Sequence, residues 1–148
     1  MPISEVPKFV SSLRDMMCAI ENIRIPTIAA IDGSALGGGL EMALSCDIRI
    51  GGPDALMGLP ETKLGIFPGA GGTQRLSRLV GTSKAKELMF LGSIVDSKEA
   101  FRLSLLNFQA SDSAAVLAES LAEKISRNGP LAIRACKSAI NMGIDSNM

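Results

Sequence analysis

The chain contains the stretch Ala35-Leu36-Gly37-Gly38-Gly39-Leu40-Glu41-Met42-Ala43-Leu44. Three consecutive glycines lead into an apolar segment with one acid, Glu41, in its first turn. Backbone N–H groups at a helix start lack intrahelical acceptors and lie at the positive end of the helix dipole, so they stabilise an anion or a carbonyl that gains negative charge. Glycines let a ligand approach these groups closely. The stretch therefore predicts a strand, a tight turn and a buried helix that form an anion-stabilising site.

A second acid follows in Gly58-Leu59-Pro60-Glu61-Thr62. Two carboxylates beside an oxyanion-stabilising turn are suited to general acid–base chemistry. Each feature also has an ordinary structural explanation, because glycines permit tight turns, Glu41 could be a solvated acid at a helix start, and Glu61 could be a surface turn residue. The combination of the three features favours the catalytic interpretation.

Length and composition predict a single domain. The 148 residues are 47% hydrophobic, which is enough for a sizeable core. Fifteen basic residues balance fifteen acidic ones, so the overall charge does not favour nucleic acid or an anionic membrane. The one local basic cluster is interpreted as a solvated helix face and comprises Arg75, Arg78, Lys84 and Lys86.

The absence of histidine limits the chemistry that the chain can perform. Without histidine there is no Ser–His or Cys–His pair, and the commonest zinc ligand is missing, so we expect no metal site. Glutamate must carry any proton transfer. The cysteines are odd in number and lie in apolar segments, which predicts buried thiols rather than disulfides at Cys18, Cys46 and Cys136. No apolar run approaches the roughly 18 residues that span a bilayer.

The remaining pattern predicts short strands alternating with helices, which indicates an α/β layer fold. The first helix is expected between Ser4 and about Asn22, with a core-facing apolar stripe at Phe9, Val10, Leu13, Met17 and Ile20. Strands are expected at 27–31, 47–50, 55–57 and 105–108. Further helices are expected over 39–46, up to Val80, from Thr82 or Ser83 to Leu91, from Asp96-Ser97, from an Asp112 cap to Gly129, and from Pro130 onward.

Longer motifs around the two acids carry a family resemblance. They are Ile25–Glu41, Cys46–Arg49, Leu59–Glu61 and Phe67–Leu76. In this order they resemble the enoyl-CoA hydratase/isomerase (crotonase) family over essentially the whole chain, and within it the mitochondrial methylglutaconyl-CoA hydratase (AU-binding) group. The resemblance implies a crotonase-like spiral of ββα units.

The resemblance also implies a role for each matching site residue. Gly38 corresponds to one of two backbone N–H donors to the thioester carbonyl, and Gly37 beside it to a substrate-binding position. Glu41 corresponds to the acid that positions and deprotonates water, and Glu61 to the acid that delivers a proton to the α-carbon. Positions that line the acyl pocket correspond to Pro60, Leu64 and Gly69.

The activity implied by the resemblance is the reversible addition of water to 2-trans-enoyl-CoA thioesters in fatty-acid or branched-chain amino-acid breakdown. It needs no metal or redox cofactor, because coenzyme A is part of the substrate. Isomerases of the family typically keep an acid only at the second position, so two acids favour a hydratase over the isomerase alternative. The resemblance further implies an acyl-CoA partner, a trimer-based homo-oligomer and a mitochondrial location, although the chain carries no recognisable targeting peptide.

The chain departs from the family pattern at both ends and at one internal position. The family carries earlier strand turns with the second oxyanion donor, and later C-terminal helices. We therefore expect residues 1–148 to form a single truncated domain, incomplete at its N- and C-termini and impaired in turnover. The alternative to an enzyme is a fragment that binds other proteins without catalysing a reaction. A third alternative, RNA binding, is disfavoured by the balanced charge. Relatives commonly carry glycine where this chain has Ser104, which puts that local turn in doubt.

Overall fold

The computed structural model describes residues 2–145, in which helices surround two small sheets. The helices are α1 Val6–Glu21, α2 Gly38–Leu44, α3 Gly72–Val80, α4 Thr82–Leu91, α5 Ser97–Arg102, α6 Ala114–Ser126 and α7 Pro130–Asp145. The strands are β1 Ile28–Ile31, β2 Ser34–Leu36, β3 Ile48–Gly51, β4 Leu56–Gly58, β5 Ile94–Asp96 and β6 Phe108–Gln109. Short 3-10 turns occupy Ile3–Glu5 and Glu61–Leu64. Within 2–145, no helix combines the length and the apolar character needed to cross a bilayer.

The first four strands alternate between the two sheets. The first sheet has the order β1-β3-β6, and all its pairs are parallel. The second has the order β2-β4-β5, with β2 parallel and β5 antiparallel to β4. Two successive strands, one from each sheet, are followed by helix, first as β1-β2-α2 and then as β3-β4-α3-α4. The predicted α/β fold is confirmed, and the strand pairing places the ends of β2 and β4 side by side, with Leu36 opposite Gly58.

The main hydrophobic core packs α2, α3, α4 and α5 against the second sheet. Its largest buried side chains are Leu40, Met57, Leu59, Leu76 and Leu105. A smaller cluster of Ile50, Ala110 and Ala114 lies between the first sheet and α6. The apolar segment after the glycines is therefore buried as predicted, although Met42 on its outer side is 44% exposed.

Helices α1 and α7 are less buried than the sequence predicted. Of the stripe expected on α1, only Met17 is buried, while Phe9 is 49% exposed. The prediction of buried thiols is also wrong, because Cys18 and Cys136 are exposed and Cys46 is half-buried. Both errors have the same cause, since an amphipathic pattern does not reveal how much of a helix face other elements cover.

The cap of α6 differs from the prediction. Asp32, at the end of β1, accepts from Ala114 N–H at 2.6 Å, from the Ser113 hydroxyl at 3.1 Å and from Ala115 N–H at 3.3 Å. These hydrogen bonds, chiefly the one from Ala114, hold the pKa of Asp32 below its ordinary value. The predicted capping by Asp112 is wrong, because a carboxylate 82 residues away in sequence satisfies the first turn of α6.

Other boundaries shift by a few residues. Strands β2 and β5 were not predicted, because three-residue strands leave little periodicity to detect. The strand expected at 105–108 begins only at Phe108, since Leu105 and Leu106 turn into the main core. The helices from Thr82 and Pro130 begin as predicted.

Buried Arg49 joins the first sheet to the chain before β6. Its guanidinium donates to the backbone carbonyls of Cys46 at 2.7 Å and Leu105 at 2.9 Å. The Asn107 side-chain oxygen accepts from the Arg49 backbone N–H at 2.9 Å. Burial lowers the pKa of Arg49. The arginine of the Cys46–Arg49 motif is therefore a structural residue that satisfies loop carbonyls.

Candidate active site

The glycine turn lies where β2 passes into α2. Gly37 has φ +54°, a left-handed conformation that favours glycine, and its N–H donates to Gly58 O at 2.9 Å. Helix α2 starts at Gly38, one residue earlier than predicted, and Glu41 N–H donates to Gly37 O at 3.0 Å. Gly38 and Gly39 are exposed, and a Cβ placed on either would meet no heavy atom of the described residues within 4 Å. A ligand can therefore approach the start of α2 without meeting a side chain there.

Glu41 is a buried acid. Only 4% of the residue is exposed, so the alternative of a solvated acid at a helix start is wrong. Its Oε1 accepts from Ala70 N–H at 2.9 Å and from Gly72 N–H at 2.8 Å. No residue between 2 and 145 donates to its Oε2. One carboxylate oxygen is fixed by two amides, and the other is left for a further partner.

Glu61 opens the 3-10 turn that follows Pro60. Its Oε1 lies 3.3 Å from the position that a Cβ on Gly37 would occupy. Its Oε2 is buried and has no hydrogen-bond partner among residues 2–145. Burial raises the pKa of the Glu61 carboxyl, its own backbone N–H offsets part of this rise, and the negative charge of Glu41 adds to it. Glu61 thus lies against the turn from which the helix of Glu41 starts, and the two acids are near enough for the charge of Glu41 to affect the pKa of Glu61.

The predicted pocket-lining residues have different environments. Pro60 and Gly69 are half-buried, next to Glu61 and in the loop before α3 respectively. Leu64 is 77% exposed at the end of the 3-10 turn. Ile66 and Phe67, which follow it, are also largely exposed. The structure therefore leaves an apolar surface beside Glu61, and the assignment of these residues to an acyl pocket stays a prediction.

Two arginines that were not predicted to belong to the site hold the loop that binds Glu41. Arg14 Nε on α1 donates to Gly69 O at 2.8 Å. Arg75 Nη1 on α3 donates to Ala70 O at 3.1 Å, and its Nη2 pairs with Glu21 at 2.8 Å. The Arg75 side chain is only 11% exposed, so its interpretation as part of a solvated face is wrong. The position of Arg75 directly after the glycine loop could have indicated its role in the site. Nothing near Arg14 in the sequence indicates that it contacts this loop.

The site geometry is accompanied by close relatives in sequence and structure. A sequence profile described as "Enoyl-CoA hydratase/isomerase" matches residues 5–148. The Arabidopsis thaliana protein "Probable enoyl-CoA hydratase 2, mitochondrial" is 56% identical over 146 residues, covering 98% of this chain and 48% of that protein. Human "Methylglutaconyl-CoA hydratase, mitochondrial" is 50% identical over 153 residues, covering 100% of this chain and 45% of that protein.

A solved structure agrees in the backbone as well. The crystal structure of enoyl-CoA hydratase from Bacillus anthracis superposes with a TM-score of 0.95 at 45% identity, covering 99% of this chain and 57% of that one. The chain spans about half the length of the curated relatives it matches. The predicted resemblance and crotonase-like fold are confirmed, and the chain belongs to the enoyl-CoA hydratase/isomerase family.

Proposed function

We propose that this chain carries the two catalytic acids and one oxyanion donor of an enoyl-CoA hydratase, which reversibly adds water to 2-trans-enoyl-CoA thioesters. The observation that carries the proposal is that both acids lie near the start of α2. Glu61 Oε1 lies against Gly37, Glu41 belongs to the first turn of α2, and the negative charge of Glu41 contributes to the raised pKa of Glu61.

The oxyanion site follows from the chemistry of conjugate addition. Attack of water at the β-carbon moves the double-bond electrons toward the thioester carbonyl, and negative charge develops on its oxygen. An N–H donor that is already oriented stabilises this charge without reorganisation at the moment of reaction. We assign this role to the N–H of Gly38, at the positive end of α2 and with no side chain beside it.

The two acids are suited to different parts of the proton transfer. In Glu41, the hydrogen bonds from Ala70 and Gly72 both end on Oε1, so Oε2 is available to orient a water and to take its proton as the oxygen attacks the β-carbon. In Glu61, burial raises the pKa, which favours a carboxylic acid that donates a proton to the α-carbon. The proton gained by Glu41 returns through solvent to restore Glu61, and dehydration reverses each transfer.

The proposal extends to partners and location. The substrate is an acyl-CoA thioester, and no separate cofactor enters the mechanism, because coenzyme A is part of the substrate. The names of the relatives, which include "mitochondrial", support a mitochondrial location. We further propose that residues 1–148 act as part of one catalytic domain and that the protein forms a homo-oligomer, as implied by the family resemblance.

The test replaces each acid in the protein as expressed from its complete gene. Glu41→Gln and Glu61→Gln are each expected to lower the rate of crotonyl-CoA hydration by about 10² to 10⁴, the range for loss of a general acid or base. Binding of acyl-CoA, measured by calorimetry, is expected to persist. Glu119→Gln, an exposed glutamate on α6, is the matched control.

Two outcomes would change the assignment. Full hydration activity in either Gln variant would remove the proposed role of that acid. If the unchanged protein moved a 3-enoyl double bond but did not hydrate crotonyl-CoA, it would be assigned to the isomerases of the family.

A further inference from the structure

We propose that Arg14 is a positioning residue for Glu41 that acts through the peptide unit joining Gly69 to Ala70, an inference that rests on the catalytic role proposed for Glu41. Arg14 Nε donates to Gly69 O at 2.8 Å. Ala70 N–H donates to Glu41 Oε1 at 2.9 Å. The Gly69 carbonyl and the Ala70 N–H are the two ends of a single peptide group.

The planarity of the peptide bond makes this connection mechanical as well as electrostatic. A trans peptide group is rigid, so a partner that fixes the direction of its C=O also fixes the direction of its N–H. A cation at the carbonyl end and a carboxylate at the N–H end also polarise the group in the same sense, which strengthens both hydrogen bonds. Arg14 therefore orients and strengthens the bond from Ala70 to Glu41 without touching Glu41.

The loop needs such support because its glycines make the backbone flexible. It contains glycines at 69, 71 and 72, and Gly71 has φ +106°. Arg75 holds the next carbonyl, Ala70 O, at 3.1 Å, and its guanidinium packs so closely on Gly71 that a Cβ there would collide with Nη1. The carbonyls of the loop are thus bound by two arginines, and its amides are bound by Glu41.

The second donor to Glu41 provides an internal control. Gly72 N–H belongs to the peptide group whose carbonyl is Gly71 O. That carbonyl accepts from Gln74 N–H at 3.1 Å and Arg75 N–H at 3.0 Å, in the first turn of α3. The Gly72 amide is therefore held by its own helix, whereas the Ala70 amide depends on a side chain from α1.

The amide of Ala70 is the direct readout, and it requires no catalytic activity. The variant Arg14→Met is compared with the unchanged protein, each expressed from its complete gene, by ¹⁵N–¹H spectroscopy and amide hydrogen exchange. The Ala70 amide proton is expected to move upfield and to exchange roughly five- to tenfold faster, the size expected for loss of one typical hydrogen bond, while Gly72 keeps its shift and rate. Arg14→Lys, which retains a donor cation, is expected to restore part of the change.

A matched variant on the same helix separates this effect from the loss of charge on α1. Lys8→Met removes an exposed cation from α1 and is expected to leave both amides unchanged. The proposal is overturned if Ala70 is unaffected by Arg14→Met. It is also overturned if Ala70 and Gly72 respond equally, since that result would mean general loosening of the loop.

Kinetics in the protein expressed from its complete gene provide the second readout. Arg14→Met is expected to lower kcat for hydration about five- to tenfold and to leave KM unchanged, because Arg14 acts only on the geometry of Glu41. In a Glu41→Gln background, the same substitution is expected to have no further effect on kcat. A full effect in that background contradicts the positioning role, whereas full activity of Glu41→Gln alone contradicts the proposed function.

Discussion

The two acids of the site are held by segments of different construction. The glycine loop, residues 69–72, contributes no acid but presents two N–H groups to Oε1 of Glu41. The 3-10 turn, residues 61–64, carries Glu61 itself and leaves its Oε2 buried without a hydrogen bond inside the described chain. Glu41 is therefore a fixed acceptor, while burial raises the pKa of Glu61. Two identical side chains gain different environments, which supports the two different roles proposed for them.

A glycine lies against each carboxylate, and the two glycines are needed for different reasons. Gly72 is buried in α3, and a Cβ there would stand 3.0 Å from Glu41 Oε1 and 3.0 Å from Leu59 Cδ1. Gly37 has the left-handed φ of +54°, and a Cβ there would stand 3.3 Å from Glu61 Oε1. At Gly72 a larger residue is excluded by lack of space. At Gly37 it is excluded by lack of space and also by the left-handed backbone conformation.

The largest expected effect comes from filling the space beside Glu41. Gly72→Ala places a methyl group against the buried side chains of Glu41 and Leu59, which must shift to make room, so we expect a loss of about 1 to 3 kcal/mol in the free energy of unfolding, measured by urea denaturation. Shifting Glu41 away from its two amide donors is expected to lower the hydration rate by up to about 10². Gly33→Ala is the control, because a Cβ on this exposed loop glycine would meet no heavy atom of the described residues within 4 Å. Unchanged stability and rate in Gly72→Ala would show that Glu41 is not confined.

An intermediate effect is expected from loosening the 3-10 turn. The Thr62 hydroxyl donates to Met89 O in α4 at 2.7 Å and ties the turn to that helix. Thr62→Val removes this hydrogen bond at nearly constant volume, so the free energy of unfolding is expected to fall by about 1 kcal/mol, while Thr62→Ser keeps the wild-type value more closely. The amide resonances of Ala70 and Gly72 should not move in either variant. A shift of those resonances would mean that the two segments are coupled rather than independent.

The smallest expected effect concerns the pH dependence of stability. Because the pKa of Glu61 is raised above its ordinary value of 4.5, the unfolded chain loses this proton first as the pH rises. The free energy of unfolding then falls from about pH 4.5 until the pH has passed the pKa of the folded state, and the penalty stays at higher pH. Glu61→Gln has no charge to bury, so its stability relative to wild type should be greater at neutral pH than at about pH 4.

Urea denaturation at both pH values measures this difference. Glu119→Gln, an exposed glutamate on α6, controls for the loss of one negative charge. A relative stability of Glu61→Gln that is equal at the two pH values, or larger at the acidic one, would contradict the raised pKa.

The parts of the site that sequence could predict are those whose signal is local. The glycines, Glu41 and Glu61 were found because each lies in a short segment with a clear chemical meaning. The sequence indicated an unusual turn at Ser104, where relatives commonly carry glycine. Its φ of +60° explains this, and Ser104 is the one non-glycine with positive φ among residues 2–145. In that conformation a side chain is strained and glycine is not, so the signal again lies in the residue itself.

The parts that sequence could not predict depend on groups that are distant along the chain. Arg14 and Gly69 are 55 residues apart, and no property of either indicates the other. Periodicity predicted α1 well but not its exposure, since a stripe such as Phe9 to Ile20 says nothing about what lies opposite. The strand pairing that sets Leu36 beside Gly58 was likewise invisible, because β2 and β4 have only three residues each.

Because Asp32 caps α6 from a distant part of the chain, the order of synthesis affects when this helix can be capped. Ribosomes release Asp32 long before Ala114, so the acceptor for the first turn of α6 is already present on the nascent chain when that turn emerges. The reverse does not hold, because a peptide cut out around α6 leaves this acceptor behind. Such an excised peptide is expected to be largely unstructured in water, which circular dichroism would reveal, since a 13-residue helix without its cap is too short to persist alone.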